Sequence, residues 1–191
     1  DARASGAGDV LAAAHVVTTL EEALEGCVLT AAITARRRER SVPVRAARDA
    51  ALELVSYCNV GDVALVFGTE TSGLTNEEVE LCAMPVSIPT NPDFSSLNLG
   101  AAVQVMCYEI RMAAADPAVP QPPEAVPASF EEIEGFHAHL ERAMQASGFY
   151  DPANPKRLLQ RLRRLFGRIR LEREEVNILR GIVSALERKP D

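Results

Sequence analysis

The chain has 191 residues, of which 47% are hydrophobic and 25% charged, and its formal net charge is -7. This length allows one domain, or one domain with a small extension, and the composition excludes collagen-like, disulfide-scaffold and wholly disordered proteins. No apolar run approaches the roughly 18–20 residues that span a bilayer, and the four cysteines and three histidines form no metal-binding pattern, so we expect a cytoplasmic protein with reduced thiols and no metal.

Predicted helices and strands alternate through residues 10–115. The β-branched apolar run at 28–34 is typical of a strand buried on both faces. Thr75 with Glu78 three residues later forms a capping box, which predicts a helix start. In chain order, the predicted helices are at about 10–14, 20–26, 46–58, 76–82 and 96–115. The predicted strands are at 15–18, 28–34, 64–67 and 85–88, of which 64–67 is also expected to be buried and 85–88 is short. This alternation predicts an α/β fold with a parallel sheet and helices on both faces.

Residues 116–128 contain five prolines, a density that predicts a stiff, extended linker without packed structure. We therefore place a domain boundary here, with one domain over 1–115 and a helical extension over 129–191.

Three helices are predicted in the extension. Ser129 with Glu132 forms a capping box for the first, which ends at Gly148. Asn154 followed by Pro155 predicts the start of the second. Apolar stripes run along the second and third helices: Leu158, Leu159, Leu162, Leu165, Phe166 and Ile169, then Val176, Leu179, Val183 and Leu186.

Basic residues are concentrated near the carboxyl terminus. Residues 156–189 hold 11 basic and 4 acidic residues, whereas the rest of the chain holds 9 basic and 23 acidic residues. A basic block on an acidic body favours an anionic partner, with nucleic acid as the first candidate; a solvated helix face is the alternative. The basic side chains predicted on this surface are Lys156, Arg157, Arg161, Arg163, Arg164, Arg168 and Arg170.

Polar residues follow two of the predicted strands. Glu70 lies in the loop after strand 64–67, and Ser95, Ser96 and Asn98 lie between strand 85–88 and a helix start. Open parallel sheets bind ligands where their strands end, and helix starts offer free backbone N–H groups. The sequence therefore predicts a pocket built from backbone and small side chains, and it contains neither a GxGxxG nor a P-loop motif.

Two motifs in this region resemble a known family. Residues 68–74, GTETSGL, and residues 88–109, IPTNPDFSSLNLGAAVQVMCYE, are similar to the second and third motifs of the SpoU branch of the SPOUT RNA methyltransferases. The segment from Phe149 to Ala185 also resembles a bacterial member that 2′-O-methylates cytidine or uridine in the tRNA anticodon loop.

The resemblance implies a trefoil-knotted homodimer that binds S-adenosylmethionine and tRNA. The implied cofactor-binding residues are Ile33, Thr34, Ala35, Gly68, Ile88, Ser95, Ser96 and Leu97, and the implied catalytic residues are Glu70, Ser96 and Asn98. Two basic groups are the implied RNA-binding residues: Arg36, Arg37 and Arg38, then Lys156, Arg157, Arg161, Arg164 and Arg168.

One family feature is missing from the sequence. The family has an N-terminal Asn…Gly…Arg motif after its first strand, and residues 1–9 resemble the segment that follows it. We therefore expect that the chain begins inside a longer gene product and lacks the first strand of the domain. A ribosomal RNA methyltransferase and a non-catalytic RNA-binding module remain alternatives to a tRNA methyltransferase.

Overall fold

A computed structural model of the chain describes residues 6–35, 43–116 and 119–188. No helix among these residues is long and apolar enough to cross a membrane. The implied RNA-binding residues Arg36, Arg37 and Arg38 lie outside the described residues.

A four-stranded parallel sheet organises residues 27–87. Its strands are β1 (Cys27–Ile33), β2 (Arg45–Ala46), β3 (Asp62–Phe67) and β4 (Met84–Ser87), in the order β2-β4-β1-β3. The predicted strand at 15–18 was wrong: this segment pairs with no strand of the sheet, and Val16 within it is fully exposed. Val17, the other apolar residue of the segment, is exposed as well.

Eight α-helices lie within the described residues: α1 (Gly8–Ala12), α2 (Leu20–Leu24), α3 (Ala47–Tyr57), α4 (Asn76–Leu81), α5 (Leu99–Ala114), α6 (Phe130–Ala146), α7 (Leu158–Phe166) and α8 (Arg173–Glu187). The capping boxes predicted at Thr75 and Ser129 are confirmed. Each hydroxyl accepts a hydrogen bond from the backbone N–H of the Glu three residues later, and the side chain of that Glu accepts one from the backbone N–H of the cap residue.

Alternate residues of β1 pack against different helices, as expected for a strand with covered faces. Leu29 and Ala31 join Leu54 of α3 and Met106 of α5 in one core. Ala32 packs on the opposite face in a second core beside α4. The predicted α/β architecture, with helices on both faces of a parallel sheet, is therefore confirmed.

Strand β3 is less buried than predicted. Residues 63–67 are all partly exposed, because β3 pairs with β1 on one side and is an edge of the sheet in the described chain. Local sequence does not distinguish an apolar edge strand from a central one, since both carry the same β-branched residues.

Two predicted helix starts were wrong. The long helix begins at Leu99, not near Ser96, because the Asn98 side chain caps it by accepting from Gly100 N at 2.9 Å. Helix α7 begins at Leu158, not at Pro155. The preceding residue, Arg157, has φ of 59°, a left-handed conformation that interrupts any helix running from Pro155.

The end of the proline-rich segment is packed, which corrects the prediction of an unpacked linker. Ala128 is buried and its N–H donates to the Leu171 carbonyl at 3.0 Å, while Arg173 N donates to the Val126 carbonyl at 3.0 Å. This short pairing ties the segment to the turn before α8. Ala128 and Leu171 then belong to the core between α6 and α8, with Phe136 at its centre.

Arg163 and Arg170, predicted on the basic surface, instead form internal contacts. Arg163 forms a two-pronged ion pair with Glu134 of α6. Arg170 donates to Glu53 of α3 at 2.9 Å and to the carbonyls of Ala83 at 2.8 Å and Gly167 at 3.0 Å. Arg170 thus joins the helical extension to the base of β4, and neither guanidinium is free for a ligand.

The half-buried imidazole of His137 on α6 makes stability depend on pH. Burial, with a smaller effect of nearby Arg163, lowers the pKa of His137 to about 4. Between pH 6.5 and 4 the unfolded chain therefore binds a proton that the folded chain does not, so the free energy of unfolding falls as pH falls. His137→Phe removes this contribution, which is at most about 1.4 kcal/mol per pH unit.

Urea denaturation at pH 7, 6 and 5 measures the effect. Between pH 7 and pH 5 we expect His137→Phe to lose less free energy of unfolding than the wild-type chain. The control His15→Gln, at an exposed site, should lose as much as the wild-type chain. If the free energy of unfolding fell equally with pH in His137→Phe and the wild type, His137 would not be the source of the pH dependence.

Candidate active site

A cleft opens where three parallel strands end. Strands β1, β3 and β4 end at Ile33, Phe67 and Ser87, and their following loops enclose about 270 Å³. This volume is near the lower end of the range for small-molecule sites. All eight residues predicted to bind a cofactor line the cleft: Ile33, Thr34, Ala35, Gly68, Ile88, Ser95, Ser96 and Leu97.

Backbone bonding holds the end of β1 beside the end of β4. Thr34 N donates to the Val86 carbonyl at 2.9 Å, which extends the β1–β4 ladder by one residue. Residues 33–35 therefore lie against the start of the loop that carries Ile88 and Ser95.

The loop after β3 forms one wall by folding back on itself. Gly73 N donates to the Thr69 carbonyl at 2.8 Å, and the Thr69 and Ser72 hydroxyls lie 2.9 Å apart. Gly73 has φ of +67°, and a Cβ at Gly68 would lie 2.1 Å from the Gly73 carbonyl carbon. Glycine is therefore required at Gly68 for close backbone approach and favoured at Gly73 by conformation.

The opposite wall is the segment between β4 and α5. Asn91 Oδ1 accepts from Asp93 N at 3.0 Å and starts a short 3-10 turn over 92–94. The Thr90 hydroxyl donates to the Ser95 carbonyl at 3.1 Å, which closes the segment across its ends. Ser95, Ser96 and Leu97 are thereby held along the cleft without a regular helix.

Glu70 and Asn98 connect the two walls. Asn98 Nδ2 donates to Glu70 Oε1 at 2.9 Å, while Asn98 Oδ1 accepts from Gly100 N in the first turn of α5. One amide thus caps the helix and orients an exposed carboxylate at the cleft. Of the three predicted catalytic residues, Glu70 and Ser96 line the cleft and Asn98 reaches it through Glu70.

Eight further lining residues were not predicted as cofactor-binding or catalytic residues, although five of them lie within the motif at 68–74. These are Phe67, Thr69, Thr71, Ser72, Gly73, Leu74, Leu99 and Ala102. The small hydroxyl residues between Gly68 and Gly73 were a usable signal, because such residues pack closely around a ligand held by backbone groups. Leu99 and Ala102 carry no comparable signal, since only the position of the α5 start brings them to the cleft.

As lined by the described residues, which include no Lys, Arg or His, the cleft suits a neutral or cationic small molecule. Its lining includes one carboxylate, several hydroxyls and backbone groups from three strand ends. Among the described residues, no group of three or more His, Cys, Asp or Glu side chains is arranged to hold a metal ion. Cys82 lines a different cavity, and burial raises the pKa of its thiol to about 12, so it is not a nucleophile near neutral pH.

The basic side chains of the helical extension divide into two groups. Lys156, Arg157, Arg161 and Arg168 are exposed. Arg164, also predicted to bind RNA, is turned partly inward: it lines the cavity between the sheet and the extension, and its Nε is buried without a protein partner. The four exposed residues form what we call the basic surface.

Two families match this chain. The SpoU rRNA Methylase family matches residues 1–108, and the C-terminal domain of the tRNA methyltransferase TrmJ matches residues 131–191. The tRNA (cytidine/uridine/adenosine-2'-O-)-methyltransferase TrmJ of Pseudomonas aeruginosa is 46% identical over 98% of this chain and 77% of its own length. The tRNA (cytidine/uridine-2'-O-)-methyltransferase TrmJ of Klebsiella pneumoniae is 44% identical over 98% of this chain and 79% of its own.

Solved structures are similar over nearly the whole chain. TrmJ from Z. mobilis has a TM-score of 0.81 at 34% identity and covers 97% of this chain and 79% of its own. A probable methylase family protein from Haemophilus influenzae has a TM-score of 0.57 at 36% identity and covers 97% of this chain and 77% of its own.

Substituting Gly68 tests the close approach that shapes the cleft. Gly68→Ala places a Cβ against the backbone of Gly73 and Leu74, so we expect a loss of about 1–3 kcal/mol or more in the free energy of unfolding. Gly181→Ala in α8 is the matched control, because its Cβ meets nothing within 4 Å and alanine favours helix. Urea denaturation of both variants measures the difference; equal stability would contradict the packing argument.

Proposed function

Since the chain belongs to the SpoU methylase family and carries the C-terminal domain of the TrmJ tRNA methyltransferases, we propose that it methylates the ribose 2′-oxygen of a pyrimidine nucleotide in the tRNA anticodon loop. The methyl donor in this proposal is S-adenosylmethionine. The observation that carries it is the cleft itself, where two family motifs meet through the Glu70–Asn98 hydrogen bond.

The residues of the cleft fit this cofactor. When bound, S-adenosylmethionine supplies a methyl group already activated by its sulfonium charge. Backbone groups of Gly68, Ile88 and Leu97 would hold its neutral parts, and the Glu70 carboxylate offers the negative charge that a sulfonium favours. The protein then has to align the ribose oxygen with the methyl group and to exclude competing water.

Proton removal is assigned to Glu70. Asn98 orients the carboxylate through Oε1, and we assign Oε2 to the ribose 2′-hydroxyl, from which it accepts a hydrogen bond and draws the proton as the oxygen attacks. Ser96, which lines the same cleft, is assigned to positioning the ribose.

The exposed side of α5 supports a homodimer. This helix buries Met106 and Ala113, whereas apolar side chains on its outer side are exposed: Val103, Cys107, Tyr108 and Met112. Exposed apolar side chains interspersed with polar ones such as Gln104 and Arg111 are a composition that protein–protein interfaces use. We propose that two copies of the chain pack through this side of α5.

Two further features belong to the same proposal. The resemblance implies a trefoil knot. The strand order supports it, because β4, the last of the four strands in the chain, lies between β2 and β1 and is followed by α5. A cytoplasmic location follows from the proposed substrate, since tRNA is found there.

The basic surface is assigned to tRNA phosphates. Lys156, Arg157, Arg161 and Arg168 are exposed, whereas Arg163 and Arg170 are engaged with carboxylates of the protein. Phosphate contacts provide affinity and orientation, and the cleft then selects the ribose. We keep the predicted division of the chain as a functional proposal: residues 1–115 carry catalysis, residues 116–128 connect the two parts, and residues 129–191 bind RNA.

Methyl transfer from labelled S-adenosylmethionine into unmodified tRNA tests the function. We expect incorporation into tRNA and little into ribosomal RNA. The reverse preference would favour a ribosomal RNA methyltransferase. RNA binding without incorporation, together with no calorimetric signal for S-adenosylhomocysteine, would favour a non-catalytic RNA-binding module.

Substitutions of Glu70 separate chemistry from cofactor binding. Glu70→Gln keeps the shape and the hydrogen bond to Asn98 but removes the proton acceptor, so we expect kcat to fall by about 10²–10⁴-fold. The affinity for S-adenosylhomocysteine, a neutral analogue at sulfur, should change by less than about threefold. An unchanged kcat would remove Glu70 from the chemistry.

The basic surface predicts a change in salt dependence. For the double variant Arg157→Ala/Arg161→Ala we expect weaker tRNA binding and a slope of log K against log salt that is shallower by about 1.4–1.8, because two phosphate contacts are lost. The exposed Arg142→Ala on α6 is the control and should leave the slope unchanged. Filter binding at 50–200 mM salt measures both; equal slopes would show that the two arginines contact no phosphate.

A further inference from the structure

Phe94 is an exposed aromatic side chain beside the cleft. It is 79% exposed, more than any other aromatic residue among those described. It directly precedes Ser95, so its Cα lies about 3.8 Å from that of a residue lining the cleft. Phe94 does not itself line the cleft, so its exposed ring can contact only a part of a ligand that extends outside the cleft next to Ser95.

Hydrogen bonds on both sides hold the backbone of Phe94 in place. Its own N–H donates to the Asn91 carbonyl at 3.0 Å, and the Asn91 side chain accepts from Asp93 N. The carbonyl of the next residue, Ser95, accepts from the Thr90 hydroxyl at 3.1 Å. The ring is therefore carried on a constrained turn, and little backbone entropy is lost when it binds a partner.

In the proposed reaction, an exposed aromatic ring beside the cleft can stabilise the base of the target nucleotide. A nucleotide of an RNA loop reaches an enclosed site only if it leaves its neighbours, and proteins commonly compensate by stacking the base on an aromatic side chain. Stacking depends on the flat face of the base, so it accepts cytidine and uridine alike.

We propose that Phe94 stacks on the base of the nucleotide whose ribose is methylated and so positions that nucleotide at the cleft. The proposal rests on the RNA methyltransferase function proposed above. It makes Phe94 a substrate-contacting residue that acts on the base, whereas Glu70 and Ser96 act on the ribose.

Three substitutions at this position test the proposal. Phe94→Trp retains a flat aromatic face, Phe94→Leu retains apolar bulk without it, and Phe94→Ala removes both. We expect kcat/KM for tRNA to fall by roughly 5- to 150-fold in the Leu and Ala variants, the effect of one lost stacking contact, and to stay within about threefold in the Trp variant. The Kd of tRNA in saturating S-adenosylhomocysteine should follow the same order.

Two controls separate stacking from a structural role. The affinity for S-adenosylhomocysteine by calorimetry and the molecular mass by sedimentation should be unchanged in all three variants. Wild-type behaviour of Phe94→Leu would overturn the proposal, because apolar bulk would then be sufficient. A changed mass or cofactor affinity in Phe94→Ala would also overturn it and assign Phe94 to the dimer or to the cleft wall.

The same experiment distinguishes failure of the underlying function. If the wild-type chain binds tRNA but transfers no methyl group, the proposed methyltransferase function fails, and the order of tRNA Kd values still decides whether Phe94 stacks. If the wild-type chain does not bind tRNA, both proposals fail.

Discussion

The register of β1 against its two parallel neighbours determines where the cleft forms. Ile33 is aligned with Phe67 of β3 and with Val86 of β4, so three strands end at nearly the same level. Because parallel strands deliver their following loops to one edge, that alignment brings together segments 33–35, 68–74 and 88–98. The cleft, the Glu70–Asn98 bond and the start of α5 all depend on it.

The walls of the cleft are held mainly by short-range bonds. Gly73 bonds to Thr69, Asn91 to Asp93, and Thr90 to Ser95, each within five residues. Such bonds can form wherever these segments are placed, and the sheet then sets their mutual position. Asn98 is the exception, since its amide spans the two walls and joins residues 28 positions apart.

The helical extension uses its basic residues in two ways. Exposed members of the run form the basic surface, while Arg163 and Arg170 pair with Glu134 and Glu53. The Arg170 side chain also donates to the Ala83 carbonyl, immediately before β4. An arginine of the basic run, Arg170, thus attaches the helical extension to the sheet, while other basic residues of the same run form the surface that we assign to tRNA.

Sequence alone determined the features that depend on local chemistry. The capping boxes at Thr75 and Ser129, the buried run of β1 and the glycine- and serine-rich loops were readable because each is set by residues within a few positions. The eight residues that the family resemblance implies for cofactor binding all lie along the cleft, and their binding of the cofactor stays a prediction. Only the tertiary structure decided which strand is an edge, where α5 and α7 begin and which arginines face inward. Those outcomes depend on contacts between distant segments, such as the pairing of Arg170 with Glu53, which no local pattern encodes.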